Sequence, residues 1–359
     1  MSARGLPSPE GGYQRRMGAM PAPRGTITES LFETLRGPPA AHAGPLPAIE
    51  RPHEPLCDED LQLALYCCYE LHYGGLAGVD DRWEWDPWLL GLRAGLEEIF
   101  EQALLERIGA PSDSAPPEEM DLALRAIADA DDAPSLSKFV EHRATVEQFE
   151  EFAIHRSAYQ LKEADPHSWA LPRLSGPPKA ALVEIQADEY GGGRPERIHA
   201  TMFARSMEAL GLDSEPGAYL DAIPGVTLAT VNLMSLLGLH RRWRGAIVGH
   251  LALFEMTSSI PNRRYANGLR RLGFGEQATA FFDEHVEADA VHEQVAAVDL
   301  AGGLVRQDPA LGRDILWGAR ALATLDARWA LAVIDAWEHG RSSLRDAASS
   351  AAPRVAAAS

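Results

Sequence analysis

Phe281–Val295, FFDEHVEADAVHEQV, is the stretch that most limits what this chain can become. Residues of an α-helix advance about 100° each. His285 and Asp289 then stand about 40° apart, and His292 falls about 20° to the other side of His285. Two imidazoles and a carboxylate leave one narrow face over two turns. Packing asks for no such face. A transition ion does, because imidazole together with carboxylate suits Fe, Mn or Zn.

The rest of the chain agrees with a helical setting. Strand alternation is weak throughout, and no repeat of fixed period is visible. Helical spacing covers Asp58–His72, a segment from Pro87 to about Ile108, and one opened by Pro116–Pro117. A long helical region spans Ser135–Lys162 and stops near Asp165, since Pro166 disfavours helix at the residue before it. Further helices are read at Pro178–Tyr190, from Pro195 to Gly211, and over Ala218–Leu237, Arg241–Ser259, Ala266–Leu272, Glu276–Ala301 and Pro309–Glu338. The expected fold is an all-α bundle.

Residues 1–55 are rich in Pro, Gly, Ala and Ser and read as mostly disordered, with one docking helix at Ile27–Arg36. Residues 56–130 form an N-terminal helical region on the core, 131–345 the metal-binding bundle, and 346–359 a flexible tail. A net charge of −19 argues against nucleic acid as a partner, because phosphate binding needs clustered Lys and Arg. Three cysteines, Cys57, Cys67 and Cys68, give neither a disulfide framework nor a zinc signature, so a reducing cytoplasm is expected. No signal peptide and no membrane span are expected.

Two other places offer ligands. Glu196 and His199 share a helix face at i, i+3 spacing, the pattern by which di-iron carboxylate bundles supply a carboxylate and an imidazole from one helix. Glu163 ends the helix carrying Phe152, Arg156 and Tyr159 and falls on their face. Glu189, seven residues before Glu196, is a rival: a carboxylate behind the ligands, or the ligand itself. Glu163, Glu196, His199, His285, Asp289 and His292 together could bind two irons, with open positions for O2.

The order and spacing of these motifs resemble the haem-oxygenase-like di-iron oxidases and oxygenases. Those proteins place a Glu on the first core helix, Glu-x-x-His on the second and His-x3-Asp-x2-His on the third. Here the gap from Glu163 to Glu196 is 33 residues and that from His199 to His285 is 86. Tyr159–His167, Asp188–Gly193 and Pro261–Leu272 are similar to the actinobacterial iron-containing redox enzymes. The resemblance implies a haem-oxygenase-like bundle with additional N-terminal helices. It implies two Fe(II)/Fe(III) ions, O2 as co-substrate and no haem, with no catalytic group apart from the metal ligands. It also implies O2-dependent oxidation of a small organic substrate, amino-acid, amine or fatty-acid-like. An iron-storage or ferroxidase-like protein without an organic substrate is the alternative.

Tyr159, Phe203, Arg263 and Arg264 are candidates for holding substrate, though the arginines also suit a solvated face. His250 and Glu255 sit in an apolar helix and read as a pair of satisfied core residues, with a wall of the substrate pocket as the alternative. The Trp83, Trp85 and Trp88 cluster reads as core or subunit interface, which leaves a homodimer open. Turnover would call on an external electron donor.

Overall fold

A computed structural model of the chain describes residues 18–39, 45–130 and 133–346, with the helical backbone alone over 287–291. The disorder expected for residues 1–17, 40–44 and 347–359 lies outside the described residues. Within them the chain is helical, with one isolated bridge between Gly18 and Leu76. No helix among the described residues is long and apolar enough to cross a membrane.

The N-terminal layer is α1 (Thr26–Leu35), α2 (Glu59–Glu70), α3 (Pro87–Ile108) and α4 (Met120–Asp129). Helix α1 buries Leu31, Phe32 and Leu35 against α2. The Asp60 carboxylate of α2 accepts the Ile27 and Thr28 amides at 2.8 and 2.9 Å, satisfying donors that the first turn of α1 leaves open. Arg24, its side chain buried, donates to the Leu220 and Ile223 carbonyls at 2.6 and 2.8 Å. The segment around α1 is therefore pinned to the bundle despite its Pro/Gly-rich composition.

The bundle itself runs α5 (Leu136–His142), α6 (Val146–Gln160), α7 (Asp165–Ser168), α8 (Gly176–Glu189), α9 (His199–Ala209), α10 (Gly225–Leu239), α11 (Arg244–Arg271), α12 (Glu276–Gln294), α13 (Gly303–Gln307) and α14 (Gly312–Glu338). One apolar cluster joins the N-terminal layer to α10, α11 and α14, through residues such as Leu65, Leu96, Leu233, Leu253 and Trp317. A second joins Phe149, Phe152, Phe203, Phe281 and Trp329 from α6, α9, α12 and α14.

The structure redraws several expected boundaries. The helical region over 135–162 is broken between His142 and Val146, where Thr145 and Gln148 cap α6 reciprocally. Pro166 does not end a helix; it lies in the first turn of α7, where its missing N–H costs nothing. The expected helix from Pro195 breaks at Ile198, whose backbone is extended at φ −60°, ψ 127°. Arg241–Ser259 and Ala266–Leu272 are parts of one helix, because α11 runs straight through Pro261. A proline inside a helix removes one hydrogen bond, and burial along α11 outweighs that loss. Helix α12 gives way to a π-helical stretch over Val295–Gly302.

The crossing of α11 and α14 sets the bundle's spacing. A Cβ on Gly249 would lie 1.8 Å from the Ile315 carbonyl oxygen, and one on Gly318 would lie 2.0 Å from that of Ala246. Backbone meets backbone, with no flexible side chain to yield. Gly249→Ala or Gly318→Ala should therefore destabilise the fold by about 3 kcal/mol, as overpacking of a rigid core does. Denaturant unfolding measures it; a loss under 0.5 kcal/mol, of the order seen at ordinary surface sites, would show that the two helices can part freely.

Candidate metal centre

Six buried side chains converge between the two apolar clusters: Glu163, Glu189, His199, Glu255, His285 and His292. Each comes from a different local device. Glu163 lies in the turn that follows α6, next to Ala164, the only non-glycine residue with positive φ (73°) among the described residues. That left-handed backbone costs an L-residue roughly 1–2 kcal/mol. The Ala164 carbonyl is tied to α8 by Gln186 Nε2 at 2.9 Å, which holds the turn in place.

Glu189 is the last residue of α8. Gly191, Gly192 and Gly193 follow with φ of 69, 59 and 80° and reverse the chain. A Cβ on Gly191 would lie 2.6 Å from the Arg197 carbonyl carbon, so only glycine lets the returning strand of chain pass so close. His199 then opens α9 and comes back onto the end of α8, its Nδ1 2.8 Å from Glu189 Oε2.

On α12, His285 Nδ1 lies 2.8 Å from the Phe281 carbonyl oxygen. A carbonyl only accepts, so Nδ1 is the donor. That leaves Nε2, 3.6 Å from Glu163 Oε2, facing the cluster. One face-width on, His292 Nδ1 is 3.4 Å from Glu255 Oε2 and 3.9 Å from Glu189 Oε1, and its Nε2 is 3.2 Å from Asp188 Oδ2.

The donors fall into two groups with one member in common. Glu163, Glu189, His199 and His285 each bring a ligand atom within 4.8 Å of the others, and so do Glu189, Glu255 and His292. Glu189 offers one oxygen to His199 and the other to His292. Buried polar atoms are nearly always hydrogen-bonded. Here Glu163 Oε2, Glu189 Oε2, His199 Nδ1 and His292 Nδ1 are buried together without an aligned hydrogen-bond partner. Converging, unsatisfied oxygen and imidazole donors fit a divalent transition ion.

The electrostatics point the same way. Burial works against the Glu189 carboxylate, yet the imidazoles of His199, His285 and His292 hold its pKa below the ordinary value. Burial also disfavours the charged form of His292, but Glu255, Asp188 and Glu189 overcome it and carry its pKa up to about 9. A proton on His292 thus balances part of the anionic charge.

The sequence-predicted residues divide clearly. Glu163, His199, His285 and His292 meet in the cluster. Asp289 lies on α12, but its side chain is outside the described residues. Glu196 does not join them. It is exposed on a 3₁₀ turn, and the break at Ile198 means that Glu196 and His199 share no helix face. Glu189 stands where Glu196 was expected. Of the two polar residues in the apolar helix, Glu255 faces His292 and lines the small cavity beside the donors, while His250 Nδ1 lies 3.1 Å from His167 Nε2 in the core. Its signal in the sequence was a lone carboxylate in an apolar helix.

Among the substrate candidates, Tyr159 lines a small cavity against Glu163, Glu189 and Glu255. Phe203 is core, packed on Phe281 with ring centres 5.1 Å apart. Arg263 is exposed, and Arg264 donates to Ser137, 3.2 Å away, a buried residue of α5 that lines a larger cavity.

Residues 150–327 match the model of a family described as iron-containing redox enzyme. That segment is similar to the iron-containing redox enzymes. It contains all six clustered donors. The chain is also similar to a nitrosourea synthase of Streptomyces achromogenes subsp. streptozoticus, with 30% identity over 146 residues. That match takes in 40% of this chain and 31% of the relative, so the chain spans about a third of the relative's length. An iron-containing redox enzyme with this fold needs a buried set of carboxylates and imidazoles, and the helical bundle holds one.

Two measurements follow. Glu189→Ala should remove most bound iron, whereas Glu196→Ala should leave the iron content of the purified protein unchanged; the reverse pattern would return Glu196 to the site. Second, iron must displace the His292 proton, so apparent Fe(II) affinity should fall about tenfold per pH unit below about 9. The sign for the metal-free protein is opposite. Its His292 pKa is raised above the ordinary 6.5, so the proton's stabilisation is full below pH 6.5 and is lost as pH rises through about 9. Anaerobic calorimetry at pH 6.5 to 8 reads the proton released; an affinity independent of pH would mean that His292 carries none.

Proposed function

We propose that the chain is a non-haem di-iron oxidase or oxygenase that uses O2 to oxidise a small organic substrate. The carrying observation is that two of the buried donors, Glu163 and His285, also line a second, larger cavity of about 360 Å³. Phe152, Phe254, Tyr265, Phe282 and Trp329 supply apolar wall to it. A volume of this size is within the range of small-molecule sites.

Glu163, His199 and His285 would hold one iron, Glu255 and His292 the other, with Glu189 shared between them. Asp289, four residues after His285 in the sequence, would complete the set. When bound, two ferrous ions supply the electrons that activate O2. The protein's own part is positional. The His285 Nδ1–Phe281 hydrogen bond fixes the ring so that Nε2 stays on the metal side. The Gln186–Ala164 bond fixes the turn that aims Glu163. Phe254 and Leu251 cover the donors and limit water near them. Repeated turnover calls for an external electron donor.

The alternative, iron storage without an organic substrate, needs a closed site with polar walls. The aromatic cavity opening on Glu163 and His285 favours an enzyme. Anaerobic titration should saturate at about two Fe(II) per chain. On admitting O2, the rate of iron oxidation should change when small organic acids or amines occupy the cavity. Saturation at two ions with a rate indifferent to every such compound would favour storage, and saturation at none would place the metal elsewhere.

A further inference from the structure

We propose that Arg156 anchors a carboxylate of the substrate at the end of the cavity away from the metal donors, so that the oxidised atom is remote from the acid group. The inference rests on the di-iron reading for its reaction but not for its binding site. Arg156 lies on α6, four residues after Phe152 and seven before Glu163, and all three line the same cavity. Arg156 lies one turn, about 6 Å of rise, before the end of α6, and Glu163 lies in the turn beyond that end. One cavity is therefore lined both by a cation on α6 and, beyond the end of that helix, by Glu163 together with His285.

The arginine is half-buried and forms no salt bridge with a described carboxylate. Its guanidinium instead lies 5.4 Å from the centre of the Trp329 ring. The chain has 52 acidic residues against 33 Lys and Arg, so anions are in surplus and most arginines find one. Arg270 pairs with Asp283 at 2.6 Å, and Arg242 pairs with Glu101. Asp326 also lines the cavity and has an interaction of its own.

A guanidinium is costly to hold away from water without a counter-ion. Lying over an indole and lining a cavity, it is suited to a planar two-oxygen anion. The walls between it and the metal donors are aromatic: Phe152 and Tyr265 rings lie 4.4 Å apart, and Tyr265 and Phe282 rings 5.9 Å apart. Gln160 supplies a polar group between. The substrate class that matches is a monocarboxylic acid with an apolar body that spans from Arg156 to Glu163.

The test uses 4-phenylbutyrate, its uncharged amide and 4-phenylbutylamine as probes on the full chain, loaded anaerobically with Fe(II) and again without metal. Binding is read by tryptophan fluorescence, since Trp329 lies under the guanidinium, and by calorimetry. The acid should bind at least tenfold tighter than the amide or the amine in both forms. Arg156→Gln should lose that tenfold preference with iron content unchanged, and Arg156→Lys should keep part of it. Equal binding of acid and amide would overturn the proposal. So would acid binding that requires iron and ignores Arg156→Gln, because the carboxylate would then be held by the metal. Should Arg156→Gln fail to fold, the comparison of acid with amide on the unaltered chain still decides. Failure of the chain to bind iron would overturn the di-iron reading while leaving the acid preference measurable.

Discussion

Three carboxylates and three imidazoles buried at one point in an apolar bundle are the interaction on which the rest of this structure depends. Removing a carboxylate from water costs several kcal/mol even after relaxation, and Glu163, Glu189 and Glu255 are all buried. That cost must be offset by positive charge close by. In the metal-free chain the offset comes partly from the proton that His292 retains up to a pH of about 9. Imidazolium is a poor substitute for a divalent ion, because it leaves Glu163 Oε2, Glu189 Oε2 and His199 Nδ1 without aligned partners. The bundle is thus stable enough to hold the donors together, and electrostatically incomplete until cations arrive.

Holding them together is a problem of backbone approach. Donors come from α8, α9, α11, α12 and the turn after α6, so five segments must converge. Helix α11 reaches the centre because it crosses α14 at Gly249 and Gly318 with almost no side chain between. The same helix carries Glu255 to His292 and Pro261 to the cavity wall. Helix α12 carries His285 and His292 and then passes into a π-helical stretch, a feature common beside functional sites. The donor cluster and the larger cavity beside it therefore share α11, whose position is fixed by one close crossing with α14.

Much of this was legible in the sequence. The His285/His292 spacing is a property of a single helix, and one period suffices to read it. Glu163 was legible too, since its position follows from the stripe of Phe152, Arg156 and Tyr159. Glu189 was legible only as a rival, because its partner His199 lies beyond a chain reversal. The Glu-x-x-His spacing of Glu196 was the more regular pattern, but regularity assumes a continuous helix, and Ile198 breaks it. The better signal was the triple glycine, which permits a turn tight enough to fold His199 back on Glu189. Glu255 depended on tertiary packing: which polar group it faces is decided by the helix opposite. The split of the 135–162 region and the passage of α11 through Pro261 are cases where capping and burial outweigh local preference.

The positions of Glu163 and Glu189 carry an argument about purpose. Glu189 is the final residue of α8, and Glu163 lies just beyond the end of α6. Helix C-termini carry partial negative charge from their open carbonyls, so a carboxylate is disfavoured there by a few tenths to about 1 kcal/mol even at the surface. Burial makes the penalty larger. A carboxylate kept for stability alone would be placed at a helix N-terminus, as Asp58 is at α2 and Asp86 is at α3. Two buried carboxylates at C-terminal ends, facing three imidazoles, make a region of concentrated negative potential. That arrangement opposes folding in isolation and favours the capture of cations, which is what the proposed iron site requires.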